Sequence, residues 1–179
     1  MYLVMATKTR WKLGILAIVL MLIILLPEVV SAAWHLRYGR SVNFRGWNVT
    51  LPFEWFAVKS SDGMTLERMM RLPWRHGPVV VFLPVHFGKR YSYDAAAYER
   101  VQAETLLSRG YRQTGEQHVE IAGSEGDCWK FISVTQAGNY WISCFVPKDL
   151  TSVDFMGNGS YELPFDEILK EVKRAKPAQ

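Results

Sequence analysis

Histidine and cysteine are scarce in this chain: four of one and two of the other in 179 residues. His35, His76, His86 and His118 form no H-x-x-x-H pair, and none stands beside a carboxylate at helical spacing. No histidine or third cysteine lies at ligand spacing from Cys128 and Cys144, so no metal site is expected. The G-x-S-x-G elbow of the serine hydrolases is missing. So is a phosphate loop, because Phe87-Gly88-Lys89-Arg90 has a lysine without the flanking glycines. Cys128 has no local base or cation to make it a nucleophile. The sequence therefore assigns no catalytic residue and no cofactor. The histidines read as structural. His86, at the end of an apolar strand, is the one placed to line a cleft, and a hydrolase using it with a nearby acid is the enzymatic alternative.

One long hydrophobic run is present. Leu13 to Leu26, LGILAIVLMLIILL, holds no charge and follows Lys8, Arg10 and Lys12. A spanning helix needs about 20 mostly apolar residues. Extension through Trp34 reaches that length but takes in Glu28. A secretory signal needs a basic start, a shorter apolar core and a small-residue cleavage site. Val30-Ser31-Ala32 and Ser31-Ala32-Ala33 supply the last, with Pro27 expected to break the helix ahead of them. Residues 1–34 therefore read as a signal peptide or a single anchor. Either way the basic end stays inside and the rest is exported, secreted or periplasmic or tethered by one helix.

The exported part, 35–175, is the size of one domain, with a frayed tail at 176–179. The formal charge of +4 falls to +2 once the leader's three cations and its one anion, Glu28, are set aside. That excess is too small and too spread to suggest nucleic acid.

Short alternating strands are expected at 41–44 and 47–51 around Arg45-Gly46, a hairpin turn pair. An extended stretch at 55–59 and a turn at 60–63 follow. The span 64–72 is helix or strand. VVVFLPV, 79–85, is apolar on both faces and reads as a central strand covered on two sides. A helix is expected over 92–109, capped by Ser92 or Asp94, with Ala96, Ala103 and Leu107 on its inner face. Strands follow at 117–122, 128–134, 140–146 and 152–156. Phe165, Ile168, Leu169 and Val172 then mark an amphipathic helix, with Lys170, Lys173 and Arg174 suited to its C-terminal end. The fold class is α+β: a mainly antiparallel sheet with helices on both faces.

The two cysteines leave alternatives open. An oxidising compartment favours a disulfide. A two-residue Ala137-Gly138 loop, however, would set Cys128 opposite Pro147 and Cys144 opposite Phe131, about 10 Å apart and out of bonding reach. A longer loop or a bulge would bring them closer.

Val49-x-Leu51-Pro52-x-x-Trp55, Ile142-x-Cys144-Phe145-Val146-Pro147, Phe155-x-Gly157 and Phe165-x-x-Ile168-Leu169 resemble the pattern of the PsbP family of photosystem extrinsic proteins and their bacterial relatives. The resemblance implies an α/β/α sandwich. That fold serves assembly factors, extrinsic subunits and a small-GTPase partner, so it does not dictate a role. No metal-ligand histidine of the family is carried over.

Two interaction surfaces are candidates. Trp34, Arg37, Tyr38, Arg40 and Arg45 would rest at lipid headgroups or form a solvated linker. Arg68, Arg71, Trp74, Arg75 and His76 form a second basic, aromatic stretch, with His86 nearby in sequence. The expected function is a non-catalytic, membrane-associated binding or assembly module with a protein partner and no nucleic acid. The alternative is a small-ligand or lipid carrier with its pocket under the 92–109 helix.

Overall fold

The computed structural model describes residues 2–68, 77–86, 94–158 and 162–175. The chain begins with helix α1, Tyr2–Tyr38. Its segment from Trp11 is long and apolar enough to cross a membrane, and the side chains of the hydrophobic run are exposed. Pro27 lies inside α1 and does not end it, contrary to the expectation from sequence. Proline removes one backbone donor, and the apolar residues on either side carry the helix past that loss.

Strands β1 (Ser41–Phe44) and β2 (Trp47–Thr50) form the expected hairpin. Arg45 and Gly46 both have positive φ, +47° and +84°, the backbone that a right-twisted two-residue turn requires. Strands β3 (Trp55–Lys59), β4 (Met64–Arg68) and β5 (Val79–Pro84) follow, so the described part of the ambiguous 64–72 span is a strand. Helix α2 is Ala95–Ser108, and β6 (Tyr111–Ile121), β7 (Ser124–Ser133), β8 (Asn139–Val146) and β9 (Thr151–Asn158) come next. A short 3-10 turn, Pro147–Asp149, joins β8 to β9. Helix α3, Glu162–Glu171, closes the domain together with β10, Val172–Arg174.

The main sheet is antiparallel throughout and runs β3-β4-β5-β9-β8-β7-β6. A small sheet, β1-β2-β10, shares no strand with it and packs on one of its faces. Strand β10 was not anticipated. Lys173 and Arg174 are strand residues opposite Asn48 and Trp47, not cations at a helix end. The helical stripe stops at Val172 because that residue's backbone pairs with Val49 and so takes an extended form.

Alternation along the strands builds two cores. One face of the main sheet gathers Leu66, Val80, Phe82, Ile142, Cys144, Val153 and Phe155 against β2 and the Phe165 and Ile168 face of α3. The other gathers Trp129, Phe131 and Phe145 under Tyr98 and Leu106 of α2. The layers are those of an α+β sandwich with a helix on each face of the sheet, as the sequence suggests.

Two readings of inner faces need correction. Strand β5 buries only Val80 and Phe82, while Val79 and Val81 are half-covered and Leu83 is exposed. It is central in order but has a single fully buried face. In α2 the buried residues are Ala97, Tyr98 and Leu106, whereas Ala96 and Leu107 face solvent. The apolar stripe of this helix is weak, and one aromatic with a polar tip decides which way it turns.

The β6–β7 turn uses Ala122 and Gly123, at φ +53° and +75°. An alanine in this backbone form is strained by on the order of 1 kcal/mol. Ala122→Gly is expected to raise stability by about 0.5 kcal/mol, read by chemical denaturation; a loss of stability would contradict the assigned turn.

Candidate functional site

The first feature is the junction between α1 and the domain. Ser31 is 1% exposed and His35 8%, one helical turn apart on α1. Trp34 packs edge-on to Phe56 of β3 with ring centres 5.6 Å apart. His35 Nε2 lies 2.9 Å from the carbonyl oxygen of Phe53, and Nδ1 lies 3.3 Å from that of Gly39. The last turns of α1 are thus part of the domain's packing. Trp34 faces the protein and belongs to no solvated linker, whereas Arg37, which lies over Tyr38, and Arg40 are exposed.

Arg68 ends β4 and is held by Glu54, with Nη2 at 2.7 Å and Nε at 2.8 Å from one carboxylate oxygen. Arg71, Trp74, Arg75 and His76 lie outside the described residues. His86 is exposed just past β5 and lines a cleft of about 400 Å³ with Phe44, Arg45, Lys59, Asp62 and Pro84. Asp62 is the one carboxylate among the residues that line this cleft with His86.

Cys128 and Cys144 face each other in the β7–β8 register and are joined as a disulfide. The expected pairing of Cys128 with Pro147 is wrong by three residues. The connection runs from Ser133 to Asn139 and is longer than Ala137-Gly138. Ser133 Oγ accepts from the backbone N–H groups of Thr135 and Gln136 and so starts the turn early.

Beneath α2 is a buried polar network that the sequence reading missed. Asp154 of β9 accepts from Ser143 Oγ, from Trp141 Nε1 at 3.1 Å and from Ser152 Oγ at 3.3 Å. Tyr98 Oη lies 3.0 Å from Ser143 Oγ and accepts from Gln102 Nε2 at 2.6 Å. The Tyr98 ring stacks on Phe145 at 4.9 Å. Burial raises the Asp154 pKa, and its hydroxyl and indole donors pull the other way. Burial, with the Asp154 charge added, drives the Tyr98 phenol well above its usual range. This network and the aromatic side chains lie at the interface to which the alternative carrier reading assigned a pocket. A charged residue in the middle of an apolar strand, Val153-Asp154-Phe155, is the signal that marks it. Tyr98→Phe is expected to cost about 1 kcal/mol, measured by thermal unfolding, because Ser143 and Gln102 lose a partner.

A second cleft, of about 510 Å³, opens at the β6–β7 tip and is lined by His118, Ser124, Glu125, Asp127 and Lys148. His118 Nδ1 sits 2.8 Å from Asp127 Oδ1, opposite it across the two strands. That hydrogen bond raises the His118 pKa. The sign follows: the pair's contribution to stability is full at pH below the unfolded histidine value and is lost as pH rises through the folded one. Asp127→Asn should lower the His118 midpoint, followed by NMR titration; an unchanged midpoint would contradict the pairing. Arg174 holds both carboxylate oxygens of Asp149 at 3.0 and 2.9 Å and also Ser124 Oγ, one of the cleft's lining residues.

These features define a class: a helix-covered antiparallel sheet domain carried on one apolar helix. No family model matches the chain, and no curated protein does. Among solved structures it is similar to the solution structure of cyanobacterial PsbP (CyanoP) from Synechocystis, at 8% identity and a TM-score of 0.51. The match covers 75% of this chain and 89% of that one. The fold is PsbP-like.

Proposed function

We propose that this chain is a membrane-tethered, non-catalytic binding module whose domain stands outside the cytoplasmic membrane and holds a protein partner there. The observation that supports it is the α1 junction: the helix that would span the bilayer enters the domain's packing through Ser31, Trp34 and His35. A domain mounted in this way has a fixed attitude to the lipid surface, which suits a tether that presents a binding face. The basic residues ahead of the apolar run favour an inside N-terminus.

Labelling tests the placement. A cysteine introduced at Val134, exposed at the β7–β8 loop, should react with a membrane-impermeant maleimide in intact cells. The protein should also stay with membranes through an alkaline wash. Labelling only after lysis would contradict the proposal.

A further inference from the structure

Four chain segments meet at the cleft that holds His86. The β1–β2 turn brings Phe44 and Arg45, the end of β3 brings Lys59, the turn after it brings Ser60 to Gly63, and the end of β5 brings Pro84 and His86. Among the described residues the lining carries two permanent cations and a histidine against one carboxylate, Asp62. Arg45, Lys59, Asp62 and His86 are all exposed, and none has an ion-pair partner among the described residues. Arg68 and Arg174, by contrast, are each held by a carboxylate. Unpaired cations gathered round a concavity focus a positive potential into it.

The walls of this cleft are fixed by the fold. Arg45 is set by a tight turn between the paired strands β1 and β2, and β2 is paired on its other side with β10. The 60–63 turn is closed by Ser60 N–H to the Gly63 carbonyl at 2.9 Å and by Gly63 N–H to Ser60 Oγ at 3.1 Å. A Cβ at Gly63 would fall 2.5 Å from the Phe82 carbonyl oxygen, so the turn lies directly on β5 and only glycine fits. The floor is apolar: Phe44 is half-buried with its ring centre 5.9 Å from that of Phe82, and Pro84 lies beside it.

We propose that this cleft binds a small soluble anion carrying an apolar ring. Arg45 and Lys59 hold its phosphate or carboxylate, and its ring rests on Phe44 and Pro84. Arginine supplies a planar pair of donors and lysine a compact charge, a combination suited to a phosphate group. The volume of about 400 Å³ suits a ligand of this size. A lipid headgroup would present the same phosphate. Lys59, however, is at the opposite end of β3 from the Phe53 and Phe56 contacts with α1, which favours a source in solution. The inference rests on the cleft alone and adds a ligand class to the tethered module proposed above.

The test is titration of the full chain in uncharged detergent micelles with phenyl phosphate, followed by NMR shifts and calorimetry. Saturable binding is expected. Arg45→Gln and Lys59→Gln should each weaken it about tenfold, and Asp62→Asn should tighten it about threefold by removing the opposing charge. Arg112→Gln, an exposed cation on β6, should leave it unchanged. These positions are exposed, so the variants keep the fold, and unfolding midpoints verify that. No saturable response, or equal weakening by Arg112→Gln, would overturn the proposal. A response to phosphatidylglycerol added to the micelles, with none to phenyl phosphate, would overturn the soluble source. Micelles stand in for the membrane here, so failure of this titration leaves the labelling result for the tether untouched, and the reverse holds too.

Discussion

Replacing Cys128 and Cys144 together by alanine is expected to cost about 3 kcal/mol of stability and to lower the unfolding midpoint by on the order of 10 °C. The bond closes a loop of 16 residues of sequence separation, which would otherwise be free in the unfolded chain. Both sulfurs are fully buried on the α3 side of the sheet beside Ile142, Val146 and Val153. Removing them adds lost packing to lost chain restriction, so the figure is a lower bound. Thermal unfolding of the oxidised, reduced and alanine forms in the same micelles measures it. Midpoints that agree to within a degree or two would show that the β7–β8 register, not the bond, holds this hairpin.

The second large effect centres on Asp154. Asp154→Ala removes the acceptor for Ser143, Ser152 and Trp141 at one stroke, two of them buried and the third half-buried on the sheet face. Each unsatisfied donor costs about 1 kcal/mol or more, so a loss of about 3 kcal/mol is expected. Asp154→Asn keeps an acceptor in place and should cost less. The two variants also separate a pH effect from a packing effect. The folded pKa of Asp154 is raised, so the folded chain keeps its proton where the unfolded chain has lost it. Stability therefore falls as pH rises from the ordinary carboxylate range through the raised value, and is level above it. The difference between wild type and Asp154→Asn, measured by denaturation at several pH values, isolates that slope. A difference that does not change with pH would mean Asp154 titrates normally and is open to water.

Much of this architecture is legible in the sequence, for reasons visible at particular residues. Arg45-Gly46 between alternating segments specifies a two-residue turn. Phe165, Ile168 and Leu169 describe a helix face, and two of them are fully buried in the core while Leu169 packs against it. Strand positions from 117 to 156 follow from apolar alternation broken by glycine and asparagine. What stayed hidden depends on partners distant in the chain. The register of β7 on β8 turned on a serine that caps the loop, a local hydrogen bond that no apolar pattern records. The orientation of α2 was set by the Tyr98 hydroxyl reaching Ser143, 45 residues away. Strand β10 is three residues long, and its pairing with β2 spans most of the chain. Of the residues proposed from sequence, His86 and Arg45 line one cleft, though the sequence puts them in separate groups, and Lys59 and Asp62, which share it, belong to a strand end and a turn that carried no such reading. Asp154 and the His118–Asp127 pair were passed over because strand pairing, and not sequence spacing, brings their partners together.

The proposed tether requires that α1 stay with the domain in the mature protein. Its small-residue segment, the site a signal peptidase would need, is helical and in part buried, with Ser31 and His35 turned into the protein. The tether proposed above requires that this segment stay uncut. Tryptic mapping of the protein extracted from native membranes tests this directly, since cleavage after Lys12 and Arg37 yields one peptide, Leu13 to Arg37. Recovery of that peptide intact is the predicted result. A native N-terminus at Ala33 or Trp34, with no peptide crossing it, would contradict the account.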